Sequence, residues 1–263
     1  MDAEKTGRKL SVPEVTPHTA KTNLIRGAVC ELRYPTVLEP ERNVAATLQK
    51  RAKSEYPLYE PNVIVRRTSV GIAGGPAQST EETEKRHVFR SRDKRWNLSL
   101  GSSAISLETE HYSSFPDFSR RLQRAVELVG DLTESPFFTR VGLRYTNAIP
   151  AGLYGDHLSE WVNPSLCAPL SEGVYGTVVE FWQVIRGTSA VGKYSFRHGF
   201  PPNAEESYLI DIDSYHDADV TTVESVPDLV ERLHDVAFAL FSWSIGPRAR
   251  EHMQLRPRHE SAQ

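Results

Sequence analysis

The sequence predicts an α+β fold, an extended antiparallel sheet with long helices packed on one face. Three observations predict it. Short runs of alternating or β-branched residues recur along the chain, separated by turn residues. Two long amphipathic segments, 114–130 and 226–245, carry helix-start signals. The two halves of the chain also repeat each other at a fixed spacing, which sets how the pieces join.

Residues 1–24 are polar, without a hydrophobic period, and read as a disordered arm. Residues 27–35, GAVCELRYP, form a β run closed by Pro35. In 41–56, Val44, Leu48, Ala52 and Tyr56 mark one apolar helical face. Residues 62–74 are rich in β-branched types. A loop is expected around Gly74-Gly75-Pro76 and the acidic Glu81, Glu82 and Glu84. Within 86–110, RHVFRS, RWNLSL and AISLETE read as successive antiparallel strands. The helix at 114–130 starts with Ser114 and Asp117 around Pro116 and buries Phe118, Leu122, Ala125, Val126 and Val129. FTRVGLRYTN at 138–147 opens the second half, followed by amphipathic LYGDHLSEWV. Strands at 175–187 and 192–199 flank a Gly187–Gly192 turn, and 206–213 is another strand. The last helix runs from Val226 to about Ile245, where Gly246-Pro247 breaks it. Residues 253–263 read as a disordered tail.

Ser114-Phe115-Pro116-Asp117-Phe118 matches Ser225-Val226-Pro227-Asp228-Leu229, and Arg121-Leu122 matches Arg232-Leu233, 111 positions apart. The same spacing lays Leu32-Arg33-Tyr34 on Leu143-Arg144-Tyr145. Two pseudo-repeats are therefore expected, 25–135 and 136–252, each β-α-β-β-(β-β)-α. In element order this looks like the saddle of the TATA-binding-protein fold or a helix-grip fold, a likeness of architecture and not of function.

Composition narrows the function classes. With 263 residues, 39% hydrophobic and 25% charged, the chain can bury one large core or two halves sharing one. No run of eighteen apolar residues exists to span a membrane. The net charge of −3 provides no global basic field for nucleic acid. Two cysteines, Cys30 and Cys167, make neither a disulfide framework nor a multi-cysteine metal site. The N-terminal stretch lacks an apolar signal core, which predicts a cytoplasmic protein.

Strand parity supplies the candidate site. Side chains alternate faces along a strand, so Glu31 and Arg33 share one face, as do Arg140 and Arg144, Glu180 and Arg186, and Asp211 and Asp213. If these faces coincide, the sheet presents all eight as one charged ligand- or partner-binding surface. Arginine suits bidentate recognition of anions. The simpler alternative is a solvated face of cross-strand ion pairs.

Other signals are weaker. Gly187 to Lys193 fits the phosphate-loop spacing G-x-x-x-x-G-K, but Tyr194 stands where Ser or Thr should hold magnesium, and β-like sequence follows instead of a helix. A hairpin turn is expected there. Asp211-x-Asp213 and Glu108-x-Glu110 could hold a hard cation only with further ligands. The nine histidines show no metal spacing, and G-x-S-x-G is missing. No catalytic, metal or cofactor set is assigned. The basic run Lys85 to Arg95, interleaved with Phe89 and Trp96, could touch phosphates, although Glu81, Glu82 and Glu84 offset its charge.

AVCELRYP and RVGLRYTN, with the closing helix LHDVAFALFSWSI, resemble a family of uncharacterised, sporadically distributed bacterial proteins of about this length. Glu31, Arg33, Gly142, Arg144, Tyr145 and Asn147 carry the resemblance, which runs from Ala28 to His252. It brings no activity. The family's patchy distribution implies a component of a bacterial defence (antiviral) or mobile-element system.

The leading expectation is a non-enzymatic binding or adaptor protein that recognises a partner or anionic ligand through the charged face. Self-association through a sheet edge or the long helices is also expected. The alternatives are a metal-dependent enzyme acting on a small phosphorylated compound, with Asp211 and Asp213 holding the metal, and a nucleic-acid-binding protein using the Lys85–Arg95 hairpin.

Overall fold

Alternation of side chains across nine antiparallel strands decides the architecture. The computed structural model describes residues 18–35, 41–70, 78–130, 137–171, 173–201, 207–217 and 221–257. Most of the arm (1–17), the Gly74-Gly75-Pro76 loop and the end of the tail (258–263) lie outside the described residues.

The first half runs β1 (His18–Thr19), β2 (Ile25–Arg33), α1 (Glu41–Ala52), β3 (Leu58–Val70), β4 (Gln78–Arg90), β5 (Trp96–Leu100), β6 (Ala104–Thr109) and α2 (Phe115–Gly130). The second half opens with β7 (Phe137–Phe138), β8 (Arg140–Pro150), α3 (Ala151–Tyr154), α4 (Leu158–Trp161) and α5 (Pro164–Ser171). It continues with β9 (Phe181–Thr188), β10 (Lys193–Phe200), β11 (Ser207–His216) and β12 (Thr221–Thr222). A 3₁₀ turn at Val223–Ser225 leads into α6 (Val226–Ser244), α7 (Pro247–Met253) and β13 (Arg256–Pro257).

The main sheet has the order β3-β4-β5-β6-β2-β8-β11-β10-β9. Its central seam joins β2 to β8, with Arg33 opposite Arg140, Glu31 opposite Gly142 and Val29 opposite Arg144. The fold class is therefore α+β, as the sequence predicts.

One face of this sheet is the core. Cys30, Leu32, Leu98, Leu107, Leu143, Ile210 and Ile212 are all buried on it. The helices close it: Phe118, Leu122, Ala125 and Val126 from α2, and Leu229, Val230, Leu233 and Ala237 from α6, belong to the same cluster. Burying each large aliphatic or aromatic side chain contributes roughly 1.5–3 kcal/mol before entropy is counted. The α2 start is capped, Ser114 Oγ accepting the Asp117 amide at 3.4 Å. An aromatic joint ties both helices to the sheet. Phe115 stacks on His234 at 3.9 Å between centroids, and His234 Nδ1 lies 3.1 Å from the Tyr145 hydroxyl.

Four local expectations need correction. The acidic run Glu81–Glu84 is not a loop but part of β4, where backbone pairing sets Glu81 opposite Arg67 and Glu82 opposite Arg66. A non-local ladder overrides the weak strand preference of glutamate. The strand expected at 175–187 begins only at Phe181, because Gly173 and Gly176 take positive φ (65° and 61°) and turn the chain before it. Helix α5 forms in a stretch left unassigned, despite Pro169 inside it. Structure also reaches into the expected arm and tail, since His18 and Thr19 pair with Pro257 and Arg256.

Candidate functional site

The opposite face of the sheet is charged. Register proves the parity argument for seven of the eight expected residues. Arg140, Gly142 and Arg144 of β8 stand opposite Arg33, Glu31 and Val29 of β2, and Arg144 stands opposite Asp213 of β11. Asp213 faces Ser195 of β10, which faces Arg186 of β9, and Asp211 faces Arg197.

Long side chains cross this face diagonally. Arg144 donates Nε and Nη2 to the two carboxylate oxygens of Asp211, at 2.7 and 2.8 Å. Arg197 Nε approaches the same carboxylate at 3.0 Å. Asp211 is only 3% exposed, and a carboxylate so buried is tolerable because two guanidiniums hold it. Arg140 donates to Asp213 at 3.1 Å and lies 3.5 Å from Glu31 and 3.7 Å from Asp217. Glu31 also accepts from Arg33 Nε at 2.8 Å and sits 3.6 Å from Arg86. Lys193 reaches Asp217 at 3.2 Å. Among the described residues, six cationic side chains thus close on these four carboxylates, and Glu108 shares the face opposite Val29. Gly142 explains how Arg140 does this. A Cβ there would collide with the Arg140 guanidinium, which lies flat across the glycine and 4.6 Å above the Tyr215 ring.

Two expected residues fall outside the network. Glu180 precedes β9, on the exposed segment that Gly176 turns away. Arg186 stands on the charged face but at the exposed edge strand, with no ion pair among the described residues. Conversely, Arg86, Arg197, Lys193 and Asp217 join the network although the sequence places none of them on the charged face. Arg197 shares strand parity with Lys193, so the hairpin register was the missing signal. Arg86 belongs to the basic run expected to form a nucleic-acid hairpin. That run divides: Arg86 and Arg90 turn onto the sheet face, Arg90 meeting Glu60 at 3.0 Å, while Arg92, Lys94 and Arg95 are exposed at the β4–β5 turn.

Charge environment separates the carboxylates. Burial works to raise the Glu31 pKa, but the Arg33 hydrogen bond and the charges of Arg33, Arg86 and Arg140 overcome it and hold it below its ordinary value of 4.5. For Asp213 burial wins over Arg140, Arg144 and Arg197, and the pKa is raised above 3.8. Burial likewise raises Glu108, outweighing Arg86. The signs for stability are opposite. Glu31 contributes stability above its unfolded pKa that is lost as pH falls through the lower folded value. Ionised Asp213 is penalised in the fold, a cost relieved as pH falls through its raised value. Glu31→Gln should therefore flatten the acid side of the stability curve, and Asp213→Asn should cost less than Glu31→Gln at neutral pH. Urea unfolding across acid and neutral pH checks both.

No group of three His, Cys, Asp or Glu among the described residues is placed to hold a metal ion. Asp211 and Asp213 face arginines instead. The phosphate-loop spacing forms the β9–β10 hairpin turn, closed by the Ser189 amide donating to the Gly192 carbonyl at 2.6 Å, and Ser189 Oγ accepts the Val191 and Gly192 amides. Cys30 is fully buried, and burial pushes its thiol well up, so it is no nucleophile. No helix of the described residues is long and apolar enough to cross a membrane.

Neither the family models nor the curated proteins compared with this chain match it.

Proposed function

We propose that the protein is a binding or adaptor module whose charged sheet face docks a protein partner presenting acidic groups. The observation that carries the reading is the incomplete neutralisation of this face. Arg33 and Arg144 are close to half exposed, at 45% and 46% of their side chains, and each keeps guanidinium N–H groups beyond those given to Glu31 and Asp211. A broad face of arginines pre-oriented by carboxylates favours a protein surface over a small molecule.

The duplication expected from the sequence belongs to the same reading. What supports it is the register. Residues 111 positions apart, Glu31 and Gly142, stand opposite one another on the central seam, and Arg33 and Arg144 lie two residues to either side of that pair. A pseudo-twofold through Glu31 and Gly142 makes Arg33 and Arg144 twin contacts on one partner. The bacterial defence or mobile-element setting rests on the family resemblance of AVCELRYP and RVGLRYTN.

A poly-glutamate peptide is the probe for this surface. Saturable binding that weakens with salt is expected, with a loss of about tenfold, or 1.4 kcal/mol, for each of Arg33→Ala and Arg144→Ala. Binding unchanged in folded variants removes the reading. Preferential, steeply salt-dependent binding of a single-stranded oligonucleotide points instead to Arg92, Lys94 and Arg95.

A further inference from the structure

We propose that β9 is a homodimerisation edge, on which the β9 of a second copy adds antiparallel and joins two nine-stranded sheets into one. The inference does not rest on the adaptor reading, although Arg186 lies both on the charged face and on this edge.

The two edges of the sheet differ. Strand β3, at one end of the order, carries Glu60, Pro61, Arg66 and Arg67 along its length. Proline and charge are what natural edge strands use to prevent further pairing. Strand β9, at the other end, reads FWQVIRGT and has neither proline nor lysine, and Arg186 is its one charge. Its first two residues, Phe181 and Trp182, are half-buried, but Val184 and Ile185, on opposite sides of the strand, are each 43% exposed. The segment leading into it adds Val174 at 72%, Tyr175 at 66% and Val179 at 87%. A contiguous apolar stretch of this kind marks an interaction site on a folded protein.

Self-complementarity selects the occupant. A twofold axis perpendicular to the sheet pairs residues of the same face, so one residue must sit opposite itself. With Val184 on the axis, Trp182 stands opposite Arg186 of the second copy, and Gln183 stands opposite Ile185. This register gives every charged residue of the edge an aromatic partner for a cation–π contact and sets no like charges together. The backbone groups at this edge, which have no strand partner among the described residues, become paired. Because the axis is perpendicular, both charged faces end on the same side, and a bivalent partner meets two of them.

Sedimentation velocity on the full chain tests the proposal. The wild-type chain should be a dimer at micromolar concentration. Val184→Glu and Val184→Lys, which each set two like charges on the axis, should be folded monomers whose melting temperature no longer depends on protein concentration, and an equimolar mixture of the two should dimerise again. Oxidised Val184→Cys should cross-link as a dimer, because Cα atoms directly opposite in an antiparallel pair lie roughly 4.5–5.5 Å apart, within disulfide reach. Arg186→Cys, opposite tryptophan, should not, and the native Cys30 and Cys167 are buried. A monomeric wild-type chain overturns the proposal, whether β9 is covered by the chain's own N-terminal arm or left open. So does a dimer that survives both charge variants.

Discussion

Gly199→Ala is expected to destabilise the protein by about 3 kcal/mol. Gly199 lies on β10 with φ at +129°, a region that residues with a Cβ rarely adopt. A Cβ there would overlap the Phe181 carbonyl oxygen, a backbone atom that no rotamer change can move. Phe181 is the first residue of β9, and Gly199 pairs with Trp182. The strain therefore falls on the attachment of β9 to the sheet. Urea unfolding should show the loss, and hydrogen exchange should show β9 amides opening before those of β8 and β11. Gly27→Ala is the matched control. Nothing lies within 4 Å of a Cβ at Gly27, and its effect should stay within about 0.5 kcal/mol.

Asp211→Asn is expected to cost about 2–3 kcal/mol, or roughly 5–10 °C in melting temperature for a chain of this size. The carboxylate is buried, and its loss leaves Arg144 and Arg197 facing each other with only the more distant charge of Asp213. Breaking a fully buried pair costs roughly 3–5 kcal/mol. The lower figure applies here because Arg144 is half exposed and can turn to water. Arg144→Ala should cost less than Asp211→Asn, since Arg197 still holds the aspartate. A double-mutant cycle should return a coupling of about 1–2 kcal/mol. Additive losses would mean that Asp211 is held by packing and not by Arg144.

These residues also show why part of the site was readable in the sequence. Parity within single strands pairs Arg140 with Arg144 and Asp211 with Asp213, and the β8–β11 register, with Arg144 opposite Asp213, brings the two pairs to one face. Arg197 needed the register of the β10–β11 hairpin, which sets it opposite Asp211, and Arg86 needed the pairing of β4 through β5 and β6 to β2. Glu180 was misassigned for a local reason: valines on both sides of Gly176 read as strand, while the glycine turns the backbone. The acidic run in β4 failed the other way, its composition reading as loop until a partner strand is known. Helices α1, α2 and α6 match their expected segments because capping and a 3.6-residue apolar period are local signals, whereas α7, after the Gly246-Pro247 break, was not expected. Helix α5 does carry a local cap, Asn163 Oδ1 accepting the Ser165 amide at 3.0 Å, but Pro169 inside it reads as a breaker.

The central seam has a kinetic consequence. Strand β2 is flanked by β6 and β8, and the Thr139 hydroxyl beside β8 donates to the Arg33 carbonyl across a sequence separation of 106. The middle of the sheet therefore closes through its most distant contacts, and loop-closure entropy makes such contacts slow to form. During refolding the N-terminal half must hold β2 open as a sticky border until the second half arrives. Crowded refolding should then favour tangled, inter-chain pairings at that border over the native one.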